Sequence, residues 1–268
     1  MRATLPFMGW SILGTQFCLE LAFGVFVALA FVHRSPLGVF FFRLMGTTAL
    51  IPVLLAAVLP PLSEQATWTD PYVLCAGLAV LAYPVYSGPV KQRTRGLALL
   101  VAVLGSGAAL VLVVGSSAAT TGPVELAVAS LSALSTGGVA GTVGLAMVLG
   151  HWYLTIPGLD VSHLARLNRV TIAAMVISLA AVGLVCLVFQ DALAAGRTPL
   201  LGPWGLFYLG TRVAVGLVLP LVFAWMTGAS LQHNNTRSAT GILYASTVLV
   251  LIGTAVSISL QDSYGVPL

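Results

Sequence analysis

The feature that most constrains this chain is a succession of apolar runs, each near the twenty or so residues that a helix needs to cross a bilayer. Eight can be drawn, over 6–32, 38–60, 71–89, 97–118, 125–153, 169–190, 203–230 and 239–260. Turn chemistry separates them: Pro36 and Gly38, Pro60-Pro61, Gly88-Pro89, Gly122-Pro123, Pro157-Gly158, Gly202-Pro203 and the polar run Gln232-His233-Asn234-Asn235. Only 7% of the residues are charged, against roughly a quarter in a soluble domain. Lipid offers no partner to backbone polar groups, so a chain of this kind must satisfy them within helices. The expected fold is all-α, a polytopic bundle of eight transmembrane helices forming a single membrane domain over 1–268.

The first run extends from Leu5 to Phe31, too long for the apolar core of a signal peptide, about 7–15 residues. No cleaved leader is expected. Arg34, Lys91, Arg93, Arg95, Arg166, Arg169 and Arg237 fall in alternate loops, and only Arg2 and Arg197 fall in the others. That bias puts the seven on the cytoplasmic side and both ends of the chain outside. A bacterial inner membrane is the expected location. The pI near 9.2 carries no nucleic-acid signal, because the basic residues sit singly rather than in a patch. Cys18, Cys75 and Cys186 lie within apolar runs, without CxxC or CxxCH spacing. They read as small buried hydrophobes, and covalent haem attachment is excluded.

On this topology His33, His151, His163 and His233 all gather at the cytoplasmic end. The stretch from Gly150 to Asp160 contains His151 and a Trp152-Tyr153 pair suited to a membrane boundary. Residues 160–168 are expected to form a short interfacial helix. Asp160 would cap it, and Leu164 and Leu167 would dip towards lipid. The fifth apolar run carries Gly137, Gly141 and Gly144 on one helical face, with His151 returning close to it. Small residues at that spacing let helix backbones approach. The functional alternative is that Gly141 and Gly144 clear room for a flat ligand, quinone or b-type haem, that His151 binds or ligates through iron.

Glu20 lies midway along the first run, with Gln16 one turn earlier on the same face. An acid this deep in a membrane is costly, and marks function by default; the structural alternative is a hydrogen bond with Gln16 or a helix neighbour. It is expected to be neutral or charge-paired, and turned away from lipid. Arg43 is positioned to snorkel to the nearer surface. Arg212 is deeper, within about 6 Å of Glu20 along the membrane normal at 1.5 Å rise per residue, and Pro220 two turns on would open its helix. No Walker A, HExxH or GxSxG motif is present.

Two functional readings follow, and a third in which the polar residues only bind helices together in a structural or assembly subunit. The first is an integral subunit of a quinol- or haem-dependent redox complex, with His151 central, His33, His163 and His233 assisting, and other redox subunits as partners. In helix count and orientation alone, the chain resembles quinol-oxidising membrane anchor subunits. The second is a small secondary transporter using Glu20 and Arg212. The histidine clustering tips the balance to the first.

Overall fold

The computed structural model describes residues 10–32, 34–116, 120–156, 158–195 and 199–268. They form α1 (Trp10–Ala30), α2 (Arg34–Leu62), α3 (Pro71–Leu81), α4 (Tyr83–Ser87), α5 (Gln92–Gly115), α6 (Pro123–Thr155), α7 (Ser162–Val188), α8 (Gln190–Ala195) and α9 (Pro203–Gly210). A π-helical segment over Thr211–Val218 joins α9 to α10 (Leu219–Gln232), and α11 (Thr236–Tyr264) follows. Among the described residues seven helices are long and apolar enough to cross a membrane: Ser11–Ala30, Leu37–Leu62, Gln92–Gly115, Pro123–Thr155, Ser162–Val188, Pro203–Gln232 and Thr236–Tyr264. Large apolar side chains cover the outside of the bundle, Leu187, Trp225 and Leu81 among them. Water would not tolerate a surface of that kind, and lipid would. The protein is an integral membrane protein.

The expected eighth long helix is not there. Residues 71–87 form two short pieces that meet at Ala82. Pro84 has no amide hydrogen to continue the ladder of α3, and the chain turns before starting α4. The short helix expected over 160–168 is also absent as a separate element. Instead α7 begins at Ser162 and runs unbroken to Val188. Leu164 and Leu167 are buried in the core rather than turned to lipid. Asp160 is not the cap: Val161 holds that position, with no side-chain cap hydrogen bond, and the Asp160 carboxylate accepts from the Ser162 backbone N–H at 2.9 Å and from the Ser162 hydroxyl at 2.7 Å.

The core is built around α6, which packs against α1, α5, α7 and α11. Its middle, from Ser135 to Val143, is buried all round. The crossing with α1 is the tightest. A Cβ placed on Gly24 would lie 1.8 Å from the Gly137 carbonyl oxygen, and one on Gly141 would lie 1.9 Å from the Gly24 carbonyl carbon. Only hydrogen fits at these positions, so the two backbones touch directly. The bundle has two distinct ends. At one, Phe40 stacks on Trp152 with ring centroids 5.8 Å apart, and the Arg95 guanidinium lies 4.1 Å above the Phe42 ring. At the other, the Ser11 hydroxyl donates to Gln65, and a cavity of about 210 Å³ opens among Leu13, Tyr208, Ser259, Asp262 and Tyr264.

Candidate functional site

The bundle interior holds two neighbouring groups of hydrogen-bonded polar side chains, one around Glu20 and one around Arg212. On α1, Gln16 and Glu20 are one turn apart, so they share a face. The Gln16 amide Nε2 donates to Glu20 Oε1 at 2.8 Å and to Gln261 Oε1 of α11 at 2.5 Å. Gln261 returns a hydrogen bond to Gln16 Oε1. The two amides thus form a reciprocal pair that fixes α1 against α11. Glu20 Oε2 is buried, with no hydrogen-bond partner among the described residues.

Arg212 stands on the opposite side of this group, fully buried at 1% exposure. Its Nη2 donates to Thr136 Oγ1 of α6 at 2.7 Å and, longer, to Ser178 Oγ of α7 at 3.4 Å. Its Nε donates to the Leu268 carbonyl oxygen at 3.0 Å. The Ser257 hydroxyl of α11 donates to that same oxygen. Glu20 is within electrostatic reach of Arg212, although none of the guanidinium's hydrogen bonds goes to it. A guanidinium in an apolar interior is costly unless its donors are met; here three oxygens meet three of its five N–H groups.

The backbone at this point is unusual. Arg212 is the second residue of the π-helical segment Thr211–Val218, and Pro220 follows it directly. Pro220 cannot donate to the Gly216 carbonyl one turn back, so the ordinary ladder fails here and the wider π turn takes its place. Single π turns inside α-helices recur at functional sites. The proline was a visible signal for an opened helix; the π geometry was not legible.

Three of the contributing residues carry no signal in the sequence. Gln261 and Ser257 sit in the last turns of α11, and Ser178 is a single hydroxyl in a run that is otherwise apolar. None carries a motif. Arg95 reads in the sequence as a loop charge ahead of the fourth apolar run at 97–118, whereas α5 starts at Gln92 and takes Arg95 into the core. There Arg95 also donates to Gln92 Oε1 at 2.7 Å.

The histidines are arranged differently. His33 lies outside the described residues. His151 is exposed near the last turns of α6, and its Nδ1 is 3.1 Å from the Tyr244 hydroxyl of α11. His163 is half-buried in the first turn of α7, close enough to Asp160 to act on its charge. His233 is exposed just beyond α10. No three His, Cys, Asp or Glu side chains come together among the described residues. Of the two glycines assigned to a ligand face, Gly141 is covered by the backbone of α1, whereas Gly144 has nothing within 4 Å of a Cβ placed there. Glu20 and Arg212 are therefore both buried and within electrostatic reach, in two separate hydrogen-bonded groups, and two of the described histidines are exposed.

The fold and this interior define a helical integral membrane protein with a charged polar core. No protein-family model matches the chain, and neither the curated proteins nor the solved structures contain a match to it.

Proposed function

We propose that this protein is a small secondary transporter in which Glu20 and Arg212 form the binding and coupling centre. The observation that carries this reading is two buried ionisable side chains, Glu20 hydrogen-bonded to Gln16 of α1 and through it to α11, and Arg212 hydrogen-bonded to α6 and α7, within electrostatic reach of each other. Intramembrane ionisable groups mark substrate, ion or proton pathways. A binding centre at half depth, next to a locally opened helix, is how carriers build a site. The quinol or haem reading requires His151 to meet a cofactor. What supports it is weaker: His151 keeps one ring nitrogen clear of Tyr244, but Gly141 is closed off by α1.

In this reading residues 71–87 make an eighth, short crossing. The Cys75 carbonyl lies against Gly105 in the middle of α5, and Tyr86 lies against Gly46 of α2, contacts that support a short crossing by this segment. Both ends of the chain then lie outside a bacterial inner membrane, and lipid is the immediate partner.

The test is reconstitution into liposomes that trap a pH-sensitive dye, with small anions and cations supplied outside under an imposed proton gradient. A solute-dependent proton flux that is lost in Glu20→Gln is expected. Equal flux in wild type, Glu20→Gln and empty liposomes for every solute would end the transporter reading.

A further inference from the structure

At the end where α1 begins and α11 finishes, a cavity of about 210 Å³ is lined by Leu13, Tyr208, Ser259, Asp262 and Tyr264, among others. It has room for several waters, and the Asp262 carboxylate and the hydroxyls give them partners. On α1, Leu13 lies one turn before Gln16 and Glu20 lies one turn beyond it; on α11, Tyr264 lies one turn from Gln261. From Leu13 to Glu20 is about 10 Å at 1.5 Å rise per residue. Between these two levels stands the Gln16–Gln261 pair, both residues at 0% exposure. Gln16 spends both amide hydrogens, on Glu20 Oε1 and Gln261 Oε1, and its oxygen accepts from the Gln261 amide. Beneath the pair, Glu20 Oε2 is buried with no hydrogen-bond partner among the described residues.

We infer that the ion coupled to transport is a proton, that it reaches Glu20 from this cavity, and that the Gln16–Gln261 pair is the gate on its path. This rests on the transporter reading above and names its coupling ion and route. A proton needs one oxygen, and Glu20 Oε2 offers one. A hard metal cation gathers about six. Here both glutamine side-chain oxygens already accept hydrogen bonds, and the Arg212 guanidinium, within reach of Glu20, disfavours a second positive charge beside it.

In the transfer, hydronium in the cavity gives its proton to Oε2 of the Glu20 carboxylate and remains as water. Asp262, Tyr208 and Tyr264 are the titratable groups lining the cavity. Arg212 acts on the acid from the π-helical segment, and α6 meets the acid's backbone at Gly137. The carboxamides in between have no ionisable group, so the pair cannot relay a proton. It has to part for water to reach Glu20, and its closure shuts the acid off.

The experiment uses the purified full chain in lipid nanodiscs, treated with a water-soluble carbodiimide. Adducts at Glu20 and at the exposed Glu64 are counted by mass spectrometry. Gln261→Ala removes half of the gate and should raise labelling of Glu20 at least tenfold over the wild type, with Glu64 unchanged. Adding Ser259→Trp, which fills the cavity from an exposed position, should return Glu20 to within threefold of the wild type. Sodium chloride in place of choline chloride should leave every rate unchanged. Labelling that does not rise in Gln261→Ala overturns the gate, and labelling that Ser259→Trp does not reduce overturns the route. Protection of Glu20 by sodium overturns the proton. Gel filtration and helical content establish folding. If Gln261→Ala does not fold, Ser259→Trp alone decides, and should lower the slower labelling of the otherwise wild-type chain at least threefold. Because labelling is read without flux, a gate that opens in a protein that carries nothing would refute only the transporter reading.

Discussion

In the centre of the bundle polar side chains meet one another; at the end that holds His151 they mostly face outward. Gln16, Glu20 and Gln261 share a hydrogen-bonded chain, and Arg212 spans α6, α7 and the segment after α11. His151 has one partner, Tyr244, across 3.1 Å. The difference teaches what burial does to a rare polar residue. In the interior an unmet donor or acceptor costs about 1–3 kcal/mol, and a charge more, which draws these groups together, although Glu20 Oε2 keeps no hydrogen-bond partner among the described residues. At an exposed end nothing forces them together.

The largest effect should come from removing one charge of the central group. Arg212→Leu strips Thr136, Ser178 and the Leu268 oxygen of their donor and leaves Glu20 without an opposite charge, a loss of about 3–5 kcal/mol for a broken buried pair. Unfolding in mild detergent would measure it. A loss below about 1 kcal/mol would mean the interior is wet enough to treat Arg212 as a surface group.

Next is the glycine face. Gly141→Leu forces a side chain into the Gly24 backbone, and should cost about 3 kcal/mol or more, at the upper end for overpacking. Gly144→Ala, with open space at its Cβ, should stay within about 0.5 kcal/mol. Equal effects at the two positions would show that α1 and α6 do not cross as described.

At the exposed end, His151→Ala should change stability by no more than about 0.5 kcal/mol, since one exposed hydrogen bond is lost. A drop comparable to that of Arg212→Leu would break the contrast between the two regions.

The smallest effect concerns Asp160. The Ser162 backbone N–H, then its hydroxyl, then nearby His163 hold the carboxyl below its usual range. A carboxyl lowered on folding contributes stability above its unfolded value, about 3.9, and that contribution is lost as the pH falls through the folded value. The difference in unfolding midpoint between wild type and Asp160→Asn should be steady above pH about 4 and vanish below it. A difference that grows on acidification would contradict a stabilising contact between Asp160 and Ser162.

What was legible in the sequence follows from the same physics. Long apolar runs and Pro-Gly breaks are local signals, so the membrane helices could be read within a few residues of their ends. The break at Ala82 and the merging of 160–168 into α7 could not, because both depend on what packs against them. Glu20 and Arg212 stood out by depth alone, as any charge does in an apolar run. Gln261, Ser178 and Ser257 did not, since uncharged polar residues are ordinary in membrane helices and only the fold shows which of them face one another. Gly141 carried the right signal with two meanings, and its neighbour Gly24, more than a hundred residues away, decides between them.

The most direct test sets the two regions against each other in one assay. Proteoliposomes of wild type, Glu20→Gln and His151→Ala, each shown to be folded by gel filtration and helical content, are compared for solute-dependent proton flux. The account predicts that Glu20→Gln loses the flux while His151→Ala retains it. Flux that survives Glu20→Gln and disappears in His151→Ala would contradict it, and would move the working centre of this protein to the end of the bundle where His151 meets Tyr244.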